Sequence, residues 1–326
     1  MRLYFAVLFA LIFMTGCNET SRYEHTVSGS VIDGYIAGAN ICADLNSNNA
    51  CDIGEPATTS DESGYFALSV SLSAKKDFSL IATHGIDTAT NEEFVGFLKR
   101  DIIVSEEVND SQILITPLST LVSFVRDYLS EQSSLARSIE DDQLNALMSS
   151  QIFLDMKQAQ DNPLENVEIY NSTQQLMQTI NLLSAHHELE TTKEVREFNL
   201  YAMQKIAKSF VEPVATTTVQ NKPLKEKTLN IDNIMATIEK EPFKEKKAVI
   251  EAEEIVFIQE YIVQVNETIE VVADVSELAP LQAEIVEATK EVKTNLKNKT
   301  TKTEALAKLK QIKQKQTAKI EKVTDQ

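Results

Sequence analysis

Six residues in one short stretch carry the oxygen chemistry that a hard divalent cation requires. Residues 44–55 read Asp-Leu-Asn-Ser-Asn-Asn-Ala-Cys-Asp-Ile-Gly-Glu. Side-chain oxygens fall at loop positions 1, 3, 5, 9 and 12, as Asp44, Asn46, Asn48, Asp52 and Glu55, and Ala50 at position 7 offers its carbonyl. Calcium takes about six to eight oxygens, and alternate side chains of a tightly wound loop converge on one point. Position 6 calls for a left-handed backbone, and Asn49 is the residue next best to glycine there. Asn at positions 3 and 5 leaves three carboxylates, Asp44, Asp52 and Glu55, so the expected affinity is weak, on the order of 0.1–1 mM. The alternative reading is a polar Asn/Asp turn that holds no ion.

The N-terminus carries a different chemistry. Arg2 precedes an apolar run, Leu3 to Phe13, too short to span a bilayer, which takes roughly 20 apolar residues. It ends in Met14-Thr15-Gly16-Cys17. This resembles the bacterial lipobox, with Met14 where Leu is usual. The resemblance implies a lipoprotein signal peptide over 1–16, diacylglyceryl transfer to Cys17, cleavage before it, and a fatty acid such as palmitate on the new amino terminus. Several chains anchor stably where one binds marginally. By the same resemblance, Asn18 after the lipidated cysteine favours the outer membrane of the cell envelope over the inner one. An ordinary cleaved signal is the alternative. With Cys17 acylated, Cys42 and Cys51 remain as an even pair in an oxidising compartment, where a disulfide is expected. Closing about ten residues contributes roughly 2.5–3 kcal/mol. Two free buried thiols are the alternative. A zinc site is disfavoured, because two Cys without a nearby His do not fill a tetrahedral shell.

The spacing over 44–55 is that of an EF-hand-type loop, yet the flanks, Val27 to Asp33 and Gly38 to Asp44, alternate like strands. Around the loop the order is Gly29-Ser-Val-Ile-Asp-Gly-Tyr-Ile-Ala-Gly-Ala-Asn-Ile-Cys-Ala-Asp-Leu-Asn46, then Glu55-Pro-Ala-Thr-Thr-Ser-Asp-Glu-Ser-Gly-Tyr-Phe-Ala-Leu68. These forty residues resemble the prealbumin-like β-sandwich modules of bacterial surface proteins, kin to adhesin B-type repeats and carboxypeptidase regulatory-like domains. The resemblance implies a stalk or binding platform, and no catalysis. From the residues themselves, Asp61-Glu62-Ser63-Gly64 is a turn, Phe66, Leu68 and Val70 alternate toward a core, and further strands are expected at 78–83 and 94–104.

Beyond this the pattern turns helical. Thr116 caps a helix with Pro117 in its first turn, and Ser138, Ser172 with Gln175, and Thr191 with Glu194 are further capping signatures. Leu176, Ile180 and Leu183 make one stripe; Val195, Phe198, Ala202, Ile206 and Phe210 make another. Ile255, Ile258, Ile262, Val265, Ile269 and Val272 form a heptad-like seam, with a strand over 263–272 as the alternative. The expected fold is α+β and multidomain: a tether at 17–26, an N-terminal antiparallel β-sandwich at 27–112, a helical domain at 113–211, a linker at 212–230, and a C-terminal helical hairpin or coiled-coil-like tail at 231–326.

Charge narrows the partners. From Lys290 onward eleven Lys face three Glu and one Asp, a local +7 against −25 for the rest of a chain of net −18. An acidic body disfavours nucleic acid, which needs a basic patch. The basic end suits an anion-facing helix or self-association through 245–325. The four histidines, His25 in the tether, His84 at a turn and the adjacent His186 and His187, complete no nucleophile, zincin or nucleotide motif. The sequence therefore leads to an anchored non-catalytic module with calcium as its one cofactor and a protein or polysaccharide ligand; the alternatives are an envelope assembly factor and an accessory protein to an enzyme.

Overall fold

Alternating buried and exposed side chains over 65–72 and mostly buried runs over 40–44 and 78–83 build the sheets of the N-terminal region. The structure, a computed structural model, describes residues 23–73, 76–88, 90–104, 113–135, 191–211, 252–270, 280–281, 283–288 and 299–324, with five single positions between 177 and 189. The apolar leader, Cys17, the linker at 212–230, His186 and His187 lie outside these residues. One sheet joins β1 (Tyr23–Val31), β5 (Tyr65–Leu72) and β10 (Ile113–Ile115) in the order β10-β1-β5. A second joins β3 (Asn40–Asp44), β4 (Ala57–Thr59), β6 (Phe78–Thr83) and β9 (Phe97–Ile102) in the order β4-β3-β6-β9. A small ribbon of β2 (Ile36–Ala37), β7 (Ile86–Asp87) and β8 (Glu92–Glu93) closes one corner.

The two larger sheets face each other in a sandwich-like arrangement. Phe66, Leu68, Val70 and Leu72 of β5 point inward against Ile41, Ala43, Leu80, Ala82, Leu98 and Ile102. Each of these side chains other than the two alanines contributes about 1.5–3 kcal/mol by leaving water. Two features depart from the expected antiparallel module at 27–112. First, β1 begins at Tyr23, inside the stretch read as a tether, because Tyr23 to Thr26 pair with Ser69 to Leu72; His25 is thus a strand residue, its ring edge-on to Phe78. Second, β10 lies past residue 112 and runs parallel to β1. Gly29 permits this: a Cβ there would sit 1.8 Å from the Ile113 carbonyl oxygen.

The inner strands β3 and β6 of the four-stranded sheet are buried on both faces, as in sheets covered by helices. The sheet's outer face carries Cys42, Ile81 and Phe97 into a second core with Leu118, Leu121, Val122 and Val125 of α1 (Pro117–Leu135). Thr116 and Ser119 cap α1 reciprocally, each hydroxyl accepting the other's backbone N–H. α2 (Thr192–Val211) packs on α1, its Thr191–Glu194 box formed as expected, and buries Phe198, Ala202 and Ile206. α3 (Ala252–Glu270) is helical where a strand was the alternative, and it buries Val265 and Ile269 of the expected seam together with Phe257 and Tyr261. α4 (Lys299–Thr324) is a continuous Lys-rich helix packed on α3 through Ala305 and Leu309, with Lys313 paired to Glu267 and Lys315 to Glu284. The chain is therefore a mixed α+β fold, with sheets in its N-terminal region and helices after them.

Candidate functional site

The loop after β3 is wound as its sequence demands. Ser47 and Asn49 adopt left-handed backbones at φ 61° and 59°, the latter at the position where glycine is usual. Both Asp44 carboxylate oxygens point into the coil, accepting the N–H of Asn48 at 3.2 Å and of Asn49 at 2.9 Å. Asn46 and Asn48 each accept a backbone N–H two residues on, 3.0 and 2.9 Å away. Their amide nitrogens meet on one Asp52 oxygen, at 2.8 and 2.7 Å. Glu55 closes the ring, accepting from Leu45 N–H at 2.8 Å and Asp52 N–H at 3.0 Å. All five side chains named from the spacing are thus engaged within one loop. Their carboxylates do not form a cluster: among the described residues no group of three or more His, Cys, Asp or Glu is placed to hold a metal ion.

The expected disulfide mounts this loop, and a buried lysine adds a tie that spacing did not reveal. Cys42 and Cys51 are joined, with Cα atoms 5.6 Å apart, and Cys42 lies in the core beneath α1. Lys99 of β9 is almost wholly buried, its side chain 2% exposed. Its ammonium donates to Asn49 Oδ1 at 2.9 Å and to Asp127 Oδ2, and it sits 5.3 Å from the centre of the Phe124 ring. One cation therefore ties the loop, the sheet and α1. Beside it Asp101 accepts from Ser79 and pairs with Arg126 at 2.9 Å.

Helix α1 also covers the free edge of β9. Thr120 Oγ1 accepts the Lys99 N–H at 2.8 Å, Ser119 Oγ donates to the Lys99 carbonyl at 2.7 Å, and Ser123 Oγ accepts the Asp101 N–H at 3.2 Å. Thr116, Ser119, Thr120 and Ser123 recur at i, i+3, i+4 and i+7, a hydroxyl stripe visible in the sequence and the signal that could have found this face.

The remaining candidates disperse. His84 sits at φ 60° with its Nδ1 2.9 Å from Thr83 Oγ1, and burial first, then Arg196, lowers its pKa below the usual imidazole value. Asp61 accepts from Ser63 and Tyr65 in the expected turn, which Gly64 completes at φ 76°. No helix among the described residues is long and apolar enough to cross a membrane. Comparison with protein-family models, curated proteins and solved structures finds no match for the chain.

Proposed function

We propose that this chain is a non-catalytic lipoprotein of the bacterial cell envelope, held by lipid on Cys17, whose β-sandwich displays a calcium-stabilised surface to a protein or polysaccharide ligand. The observation that carries this reading is the loop at 44–55: five oxygen-bearing side chains turned into one coil, stapled by a disulfide. Calcium would be held by Asp44, Asn46, Asn48, Asp52 and Glu55 with the Ala50 carbonyl. Half-turns of the two Asn amides that meet on Asp52 would present oxygen in place of nitrogen. Weak affinity follows from three carboxylates and suits an extracellular module. We read the layout as a module near 27–112, a helical region to 211, a linker, and the C-terminal helices. Burial of Val265 and Ile269 inside the chain favours display over assembly through those helices.

Thermal unfolding of the full chain with chelator, calcium or magnesium tests the ion. At ten times Kd, calcium stabilises by about 1.4 kcal/mol, a shift of a few degrees. Magnesium does much less, since it resists dehydration. Asp52→Ala is the informative variant, because Asp52 is exposed whereas Asp44 also holds the loop's backbone. Equal shifts with both ions would reduce the loop to a polar turn. For the anchor, Cys17→Ser moves the protein to the soluble fraction; unchanged membrane recovery refutes it.

A further inference from the structure

The two larger sheets have four outer edges, and three are managed. The free edge of β9 is taken up by the hydroxyls of α1, and β4 and β10 are three residues each. Short or covered edges do not template pairing. The fourth, β5, is different: it runs for eight residues, Tyr-Phe-Ala-Leu-Ser-Val-Ser-Leu, without a charge or a proline. It ends the order β10-β1-β5, so no strand among the described residues pairs with its outer side.

The phase of its hydrogen bonding is fixed. Val31 N–H donates to Gly64 O, so Phe66, Leu68, Val70 and Leu72 turn their backbones toward β1. Ala67, Ser69 and Ser71 turn theirs outward. Tyr65 is already engaged by the Asp61 turn, so the open stretch starts at Ala67.

We propose that this edge pairs antiparallel with β5 of a second copy of the chain, about a two-fold axis at Ser69. Three features of the strand favour its own copy as the occupant. The outward backbone groups match in register: Ser69 meets Ser69, and Ala67 meets Ser71. The inward side chains then continue the core across the join, Phe66 opposite Leu72 and Leu68 opposite Val70, which are apolar cross-strand pairs. The ends are complementary in charge. Asp61 and Glu62 precede β5 and Lys75 and Lys76 follow it, so antiparallel pairing brings the acidic end of one strand to the basic end of the other. Glu62 and Lys76 are both exposed. The exposed outer face of β5 is Tyr65, Ala67, Ser69 and Ser71, small or polar enough to remain in water after pairing.

Sedimentation of the full chain in detergent, with the strand variants, tests this. The parent sediments as a concentration-dependent dimer. Ser69→Lys places like charges opposite each other at the axis and raises the dissociation constant by up to about fivefold. Ser69→Pro removes an outward N–H without touching the ladder to β1, a place where an edge strand accepts proline. It gives monomer, with the circular dichroism and the Cys42–Cys51 bond unchanged. Glu62→Lys weakens the dimer, and adding Lys76→Glu restores it. Ser69→Cys yields a covalent dimer with a short bifunctional thiol reagent, while Ser63→Cys does not. A parent that stays monomeric overturns the proposal. So does a dimer that neither Ser69 variant weakens, or a strand edge that captures only an extended peptide of another protein.

Discussion

Two buried ionisable side chains, Lys99 on β9 and Asp33 in the turn after β1, are treated differently. Lys99 is enclosed with a carboxylate, an amide oxygen and an aromatic face around it. Asp33, in the turn between β1 and β2, is 8% exposed; its Oδ1 has no hydrogen-bond partner and Asp87 is close by. A buried charge is costly unless it is paired and hydrogen-bonded. The comparison marks the Lys99 end, where the loop, the disulfide and α1 meet, as the fixed part of the sandwich. The Asp33 end, where the exposed Tyr35 and Ile86 also lie, holds a carboxyl whose charged form is disfavoured by burial first and then by Asp87.

The largest expected effect comes from breaking the Lys99 pair on one side. Asp127→Ala leaves a buried ammonium with one amide oxygen and a ring. Because Asp127 is itself 42% exposed, the loss falls at or below the low end for buried pairs, about 2–3 kcal/mol. Lys99→Met removes the charge together with its need for a partner and costs less than Asp127→Ala. Urea unfolding of the two variants checks the order; the reverse order would mean that Lys99 acts as packing alone.

Next in size is Thr120→Val. Valine keeps the shape but neither accepts the Lys99 N–H nor donates to the Thr116 carbonyl, as Thr120 Oγ1 does at 2.8 and 2.7 Å. An orphaned buried N–H costs about 1–3 kcal/mol. Hydrogen exchange reads it directly: the Lys99 amide loses protection in the variant, while amides of β5 facing β1 do not change. If the Lys99 amide stays protected, the helix covers this edge by burial and not by its hydroxyls.

What the sequence made legible follows the same divide between local and distant partners. The Asp61–Gly64 turn and the caps at Thr116 and Thr191 are settled within a few residues and formed as read, and the loop 44–55 coils on its own side chains. The Cys42–Cys51 bond, nine residues apart, was legible because acylation of Cys17 would leave only those two. The start of β1 at Tyr23 was not, because its partner Leu72 lies across the sheet and His25 and Thr26 break no alternation on their own. The parallel β10 was missed because a three-residue strand carries no period of its own and depends on Gly29 far upstream. Lys99 stands at the start of a Lys-Arg-Asp run that reads as a solvated turn or strand end. Asn49, Phe124 and Asp127, distant in sequence, explain why its ammonium can be buried there.

The smallest expected effect has the opposite sign and falls at Asp33. Burial first, then the Asp87 carboxylate, raises its pKa well above the ordinary 3.8. Between the ordinary value and the raised one, the folded chain holds a proton that the unfolded chain has released. Stability from this group is therefore full below about pH 3.8 and is lost as pH rises toward the folded pKa, the reverse of a salt-bridged carboxylate. Asp33→Asn keeps the shape, removes the repulsion with Asp87 and supplies amide hydrogens. It raises the melting temperature at pH 7 and leaves it unchanged near pH 3, where Asp33 is protonated in both states. Thermal melts of parent and variant from pH 3 to 7, taken as differences, isolate this term from the rest of an acidic chain. A variant less stable than the parent at pH 7 would show that the charged Asp33 is needed, and that both buried charges are held by partners.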